Sequence, residues 1–250
     1  MDWISRSGER WWWLLVAVLW VGCGRADPGP AEAASAPQQL AWVEWAHGEG
    51  SPEVALPLVI ALHGRGDTPE QFIRLMEDYP GPVRVVAPRA PLPWGRGASW
   101  FSDSAHKVDA DTLATELRER AGEVAALIEQ VKRSRPVLGK PVVMGFSQGG
   151  MMSFALAIEH PELIAGAVPV SGYLPLAAVP ERPKALVPVR ALHGAADEVL
   201  PLLPTEQGVQ ALQRAGFDVR LQTYPEVGHT VTPAMRADLY AHLVELTGGR

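Results

Sequence analysis

Beyond residue 39 the chain alternates short apolar runs with stretches of helical periodicity, and this alternation limits its fold more than any other feature. The runs lie at residues 40–45, 57–62, 83–87, 141–145, 165–170, 187–192 and 219–224. Between them, residues 109–132 carry Leu113, Leu117, Ala121, Val124, Ile128 and Val131 at three- and four-residue steps, the stripe of a helix buried along one side. Shorter helices are predicted at 148–159, 205–215 and 233–246. Short apolar strands interleaved with helices require a mostly parallel sheet covered on both faces. At 250 residues and 47% hydrophobic, the chain can bury such a core. Sheets of this kind bind ligands beyond the carboxyl ends of their strands, so reactive residues are expected just after the apolar runs.

Ser147 meets that expectation. Gly145-Phe146-Ser147-Gln148-Gly149 is a G-x-S-x-G sequence set between a predicted strand and a predicted helix, the context in which the motif presents a nucleophilic serine on a tight turn. Side chains beside such a turn would collide, so glycines clear the space and let the helix pack on the strand. A serine hydroxyl is a weak nucleophile and needs a base. His229 lies in a loop between the last strand and the last helix, a position suited to that role. Asp197, in the loop after the 187–192 run, completes the order Ser, Asp, His and would fix the imidazole tautomer. Glu198 and Glu226 are neighbouring acids read as solvated loop carboxylates. His63 and His193, each in a Leu-His-Gly sequence at a strand end, are read as structural. His47, His106, His160 and His242 are read as surface residues.

An oxyanion needs backbone N–H donors. One is expected from Gln148, after the serine, and one from Arg65, which stands between Gly64 and Gly66 in the loop after the 57–62 run. Trp94, Trp100, Phe101, Met151 and Met152 are candidates to line an acyl pocket, since such sites are mostly apolar.

The net charge of −6 and the absence of long Lys/Arg runs exclude a nucleic-acid binder of the usual basic kind. A single cysteine, Cys23, rules out an internal disulfide and a cysteine zinc cluster. No metal-ligand pattern is visible, and no metal or cofactor is expected. Arg6 and Arg10 precede an apolar run over 11–23 that is too short for a comfortable membrane span and reads as a secretory signal. Its end is similar to a bacterial lipoprotein signal, with Gly22 before Cys23, although Trp20 stands where leucine is usual. Lipidation at Cys23 would anchor the protein to the membrane of a bacterial cell envelope. Residues 24–38, rich in Ala, Pro, Gly and Ser, read as a tether. The expected division is a signal peptide at 1–22, a flexible tether at 23–38 and a catalytic domain at 39–250.

The stretches LHGRGD, GFSQGGMMS, HGAADEVLP and VGHTV, with PRAP at 88–91 and SWFSD at 99–103, together resemble the carboxylesterase and acyl-protein thioesterase branch of the α/β-hydrolases. The resemblance covers roughly residues 40–247. It implies an α/β-hydrolase fold and a cofactor-free serine hydrolase of small-molecule acyl esters or thioesters. It carries the catalytic roles to Ser147, Asp197 and His229, and the oxyanion donors to Arg65 and Gln148. Arg65 departs from the leucine usual there, which favours a general carboxylesterase over a protein thioesterase. An esterase of polyesters or plant-wall esters is the alternative substrate reading. A surface-anchored binding protein that lost the chemistry is the alternative of another class.

Overall fold

The computed structural model describes residues 39–48, 53–102 and 108–248; the signal, Cys23, the tether and His106 lie outside them. In chain order the elements are β1 (Trp42–His47), β2 (Leu56–Leu62), a short α1 (Pro69–Phe72) running into the 3-10 turn Ile73–Met76, β3 (Val83–Pro88), β4 (Leu92–Trp94), β5 (Gly97–Ser99) and α2 (Ala110–Ser134). There follow β6 (Val137–Phe146), α3 (Gln148–Glu159), β7 (Gly166–Val170), the 3-10 turn Leu176–Ala178, β8 (Val189–Gly194), α4 (Leu202–Arg214), β9 (Val219–Tyr224) and α5 (Pro233–Leu246).

Seven strands form one sheet in the order β1-β3-β2-β6-β7-β8-β9. β1 runs antiparallel to β3; every other neighbouring pair is parallel. The two-residue period of a strand divides the side chains between two buried layers. Leu58, Ile60 and Leu62 of β2 face a core shared with α2, α3 and α4, whereas Val59 and Ala61 face a second core closed by Met235, Leu239 and Leu243 of α5. The apolar stripe of α2 is wholly buried, and Asp109 caps the helix by accepting hydrogen bonds from the Asp111 and Thr112 amides.

Two parts of the fold differ from the sequence reading. β6 begins at Val137 rather than at residue 141, because a register shift against β2 lets the exposed Gly139 and Lys140 extend the strand without an apolar side chain. β4 and β5 form a separate antiparallel hairpin, with Trp94 opposite Gly97. Strands of three residues are too short to show periodicity. The hairpin matters for the site, because it lies against the loop that follows β2.

Candidate active site

Ser147 sits between β6 and α3 with φ 57° and ψ −117°, a conformation uncommon for any residue with a Cβ. Its amide donates to the Val170 carbonyl of β7 at 2.9 Å, which fixes the turn against the neighbouring strand. The flanking glycines are required by contact. A Cβ on Gly149 would lie 1.8 Å from the Leu62 carbonyl oxygen, and one on Gly145 would lie 2.3 Å from that of Gly149. Helix and strands therefore meet backbone to backbone, and the serine is pushed out at the carboxyl end of the sheet.

Two loops deliver the partners. The Asp197 loop follows β8 and the His229 loop follows β9; they are tied together by Ala195 N–H to the Tyr224 carbonyl (2.9 Å) and Ala196 N–H to that of Val227 (3.0 Å). Asp197 is buried, and its Oδ1 accepts from the amides of Val199 (2.9 Å) and Leu200 (2.8 Å). Its Oδ2 lies 2.7 Å from His229 Nδ1. An ionised carboxylate only accepts, so Nδ1 carries the proton and Nε2 is left as an acceptor. His229 Nε2 stands 3.0 Å from Ser147 Oγ, with the Phe146 ring packed 4.7 Å from the imidazole. This chain of groups can draw the hydroxyl proton toward the imidazole and support the charge that results.

Of the other described histidines only His193 approaches the triad, its Nε2 lying 3.6 Å from Asp197 Oδ2. His63 is fully buried; its Nδ1 faces the Gly64 carbonyl at 2.7 Å, and its Nε2 accepts from the Ala90 amide at 3.1 Å. His193, also fully buried, lies 2.8 Å from the Leu200 carbonyl and 3.2 Å from the Thr205 hydroxyl. Burial lowers the pKa of both, so they remain neutral structural groups. His47 is exposed, while His160 and His242 are half-buried. Glu198 and Glu226 are exposed beside the site.

Arg65 lies in the loop between β2 and α1. Gly64 brings this loop against Ser147: a Cβ there would touch the serine Cβ at 3.4 Å. The β4–β5 hairpin pins the other end, through Gly66 N–H to the Ala98 carbonyl (2.8 Å) and Ala98 N–H to the Asp67 carbonyl (3.0 Å). Gln148 opens α3, where the first amides have no acceptor within the helix. Its buried side chain performs a task that the sequence reading missed. Gln148 Oε1 accepts from the Trp100 amide at 3.0 Å and lies 3.1 Å from the Ser99 hydroxyl, while Trp100 Nε1 donates to the His63 carbonyl at 2.9 Å. The residue after the serine thus latches the segment that holds the Arg65 loop.

The expected acyl pocket is corrected by burial. Trp100, Phe101, Met151 and Met152 are at most 1% exposed and belong to the core between the sheet and its helices, so they offer no surface to a substrate. Only Trp94 is open to solvent. The space beside His229 is instead a cleft of about 420 Å³ lined by Phe72, Leu75, Phe146 and Val231, with Asp67, Gln71, Arg74 and Thr230 among its polar groups. Gln71, Phe72, Arg74 and Leu75 lie on α1 and the adjoining 3-10 turn, elements too short to be read from apolar periodicity. Among the described residues no group of three or more His, Cys, Asp or Glu side chains is arranged to hold a metal.

A family model described as phospholipase/carboxylesterase matches residues 50–247. Acyl-protein thioesterase 1 of Gibberella zeae is 27% identical over 207 residues, covering 74% of this chain and 88% of that protein. The crystal structure of esterase PE8 matches with a TM-score of 0.73 and 25% identity, over 84% of this chain and 100% of that one. Acyl-protein thioesterase 2 of Zea mays shares the fold, with a TM-score of 0.67 and 23% identity over 84% of this chain and 100% of its own.

Proposed function

The chain belongs to the phospholipase/carboxylesterase family, and from that premise we propose that it is a serine carboxylesterase that cleaves acyl esters or thioesters through a covalent intermediate on Ser147. The observation that carries this reading is the hydrogen-bonded series from Asp197 Oδ2 to His229 Nδ1 (2.7 Å) and from His229 Nε2 to Ser147 Oγ (3.0 Å).

In the first half of the reaction Ser147 Oγ attacks the acyl carbon and its proton passes to His229 Nε2. The carbonyl π-electrons move onto oxygen, where the amides of Arg65 and Gln148 receive the charge. The intermediate collapses, the bond to the leaving oxygen or sulfur breaks, and His229 returns the proton to that atom. In the second half water attacks the acyl-enzyme, His229 takes its proton, and Ser147 Oγ leaves with that proton as the acid is released. Asp197 keeps the imidazole in the tautomer that can accept at Nε2 and stabilises it while charged. The cleft beside His229 has apolar walls that suit a small organic alcohol or thiol.

The cellular setting is part of the same proposal and rests on the sequence alone. A signal over 1–22 followed by a lipidated Cys23 and a tether over 23–38 would place the enzyme outside the cytoplasm on a lipid anchor.

The test is kcat/KM over a series of p-nitrophenyl esters and matched thioesters of increasing acyl length, with a polymeric ester alongside. Turnover of the soluble series that Ser147→Ala abolishes is the expected result. Turnover of the polymer alone would move the assignment to a polyesterase, and turnover unaffected by Ser147→Ala would overturn it.

A further inference from the structure

Arg65 holds a second feature, carried by its side chain rather than its amide. Its guanidinium carbon lies over the Trp94 ring, 4.9 Å from the ring centre, a cation–π contact that restrains the arginine. Trp94 is 42% exposed at the end of β4, so the pair forms part of the rim. Among the described residues Arg65 makes no ion pair, and neither does the exposed Arg96 at the tip of the same hairpin. Other arginines on the adjoining elements are paired: Arg74 with Glu77 at 3.1 Å and Arg89 with Glu70 at 3.0 Å. Asp67, two residues along the loop, turns its Oδ1 to the Thr68 amide at 2.7 Å instead. The rim therefore carries two guanidinium groups outside any ion pair, one of them restrained, with the Asp67 carboxylate nearby, on a molecule whose net charge is −6. It does so on the loop that Gly64 brings into contact with Ser147.

We infer that the Arg65 guanidinium, held on Trp94, is a specificity-determining group that reads an anionic substituent, a carboxylate or phosphate, on the ester substrate. The planar fork of N–H donors matches such an anion in geometry as well as charge. Stacking reduces the entropy that a free arginine would lose on binding it. Arg96 adds charge at the hairpin tip without a fixed geometry. This inference rests on the proposed hydrolase reading and narrows it to charged esters.

The experiment compares matched substrates. p-Nitrophenyl hemiglutarate and p-nitrophenyl valerate place or omit a carboxylate at the end of a five-carbon acyl chain. The valerate esters of 4-hydroxybenzoate and 4-hydroxybenzamide do the same on the leaving group. The readout is the ratio of kcat/KM for the anionic over the neutral member in each variant, so a loss common to both members cancels. In Arg65→Leu and Arg65→Gln the ratio is expected to fall about tenfold for one of the pairs, the low end for a charge-assisted contact at a solvent-open rim. Trp94→Leu is expected to lower the same ratio, and added salt to lower it in the unaltered protein. Ratios that are unchanged in all three variants would overturn the inference while leaving the hydrolase reading intact. An unaltered protein that cleaves none of the four esters would remove both.

Discussion

Ser147 occupies a backbone conformation that costs a non-glycine residue on the order of 1–3 kcal/mol, and the surrounding hydrogen bonds and backbone contacts hold it there. Glycine would adopt the same turn without that strain, at an entropic cost of about 0.5–1 kcal/mol in the unfolded chain. Ser147→Gly is therefore expected to raise stability by about 1 kcal/mol while removing ester hydrolysis, as thermal denaturation and an ester assay would reveal. A fall in stability would mean that the turn is not strained. At this scale the sequence was informative where a residue follows a strand: the order of Ser147, Asp197 and His229 along the chain predicts where each emerges at the sheet edge, and the structure brings the three within hydrogen-bond distance. It was uninformative for Trp100, Phe101, Met151 and Met152. An apolar side chain beside a reactive serine reads alike whether it fills the core or faces a substrate, and only the three-dimensional packing separates the two.

The β4–β5 hairpin and α3 act together on the loop that carries Arg65. The latch runs from Gln148 Oε1 to the Trp100 amide and the Ser99 hydroxyl, and from that segment through Ala98 to Gly66 and Asp67. Gln148→Leu removes the acceptor and leaves a buried amide unpaired, at a cost of about 1–3 kcal/mol. Because the loop would shift rather than disappear, kcat is expected to drop by about 10²-fold with little change in KM, the low end of the loss from removing a donor outright. Steady-state kinetics on a short-chain ester separates the two; a change confined to KM would place the latch in substrate binding instead. The α/β-hydrolase sheet itself was legible because its buried parallel strands are mostly apolar, Arg84 of β3 apart, and its long helix carries a regular stripe. Hairpin and α1 were not, because three or four residues give no period to count.

For the molecule as a whole, the buried imidazoles of His63 and His193 link stability to pH. Burial holds both below the ordinary value of 6.5, so the unfolded chain takes up these protons before the folded one does. Stability is then full above that value and declines as the pH falls through it, because for His193 burial outweighs the opposing pull of the Asp197 carboxylate. Lowering the pH from neutral to about 5 is expected to reduce the melting temperature, and His193→Gln to flatten that dependence. An equal slope in the variant would mean that His193 is not responsible. The placement of the protein in the cell is a separate matter that only residues 1–38 address. If Cys23 bears the anchor, Cys23→Ala shifts the protein from the membrane fraction to the soluble one, and an unchanged distribution would reject lipidation.

Hydrolysis by this mechanism requires Ser147 to become covalently acylated, and the most direct measurement is the mass of the protein after reaction with a fluorophosphonate that traps serine nucleophiles. The prediction is one adduct per chain, mapped to the peptide containing Ser147, formed far more slowly when His229 is replaced by alanine. An adduct on another residue, or a folded and hydrolytically active protein that takes up no label at Ser147, would contradict it.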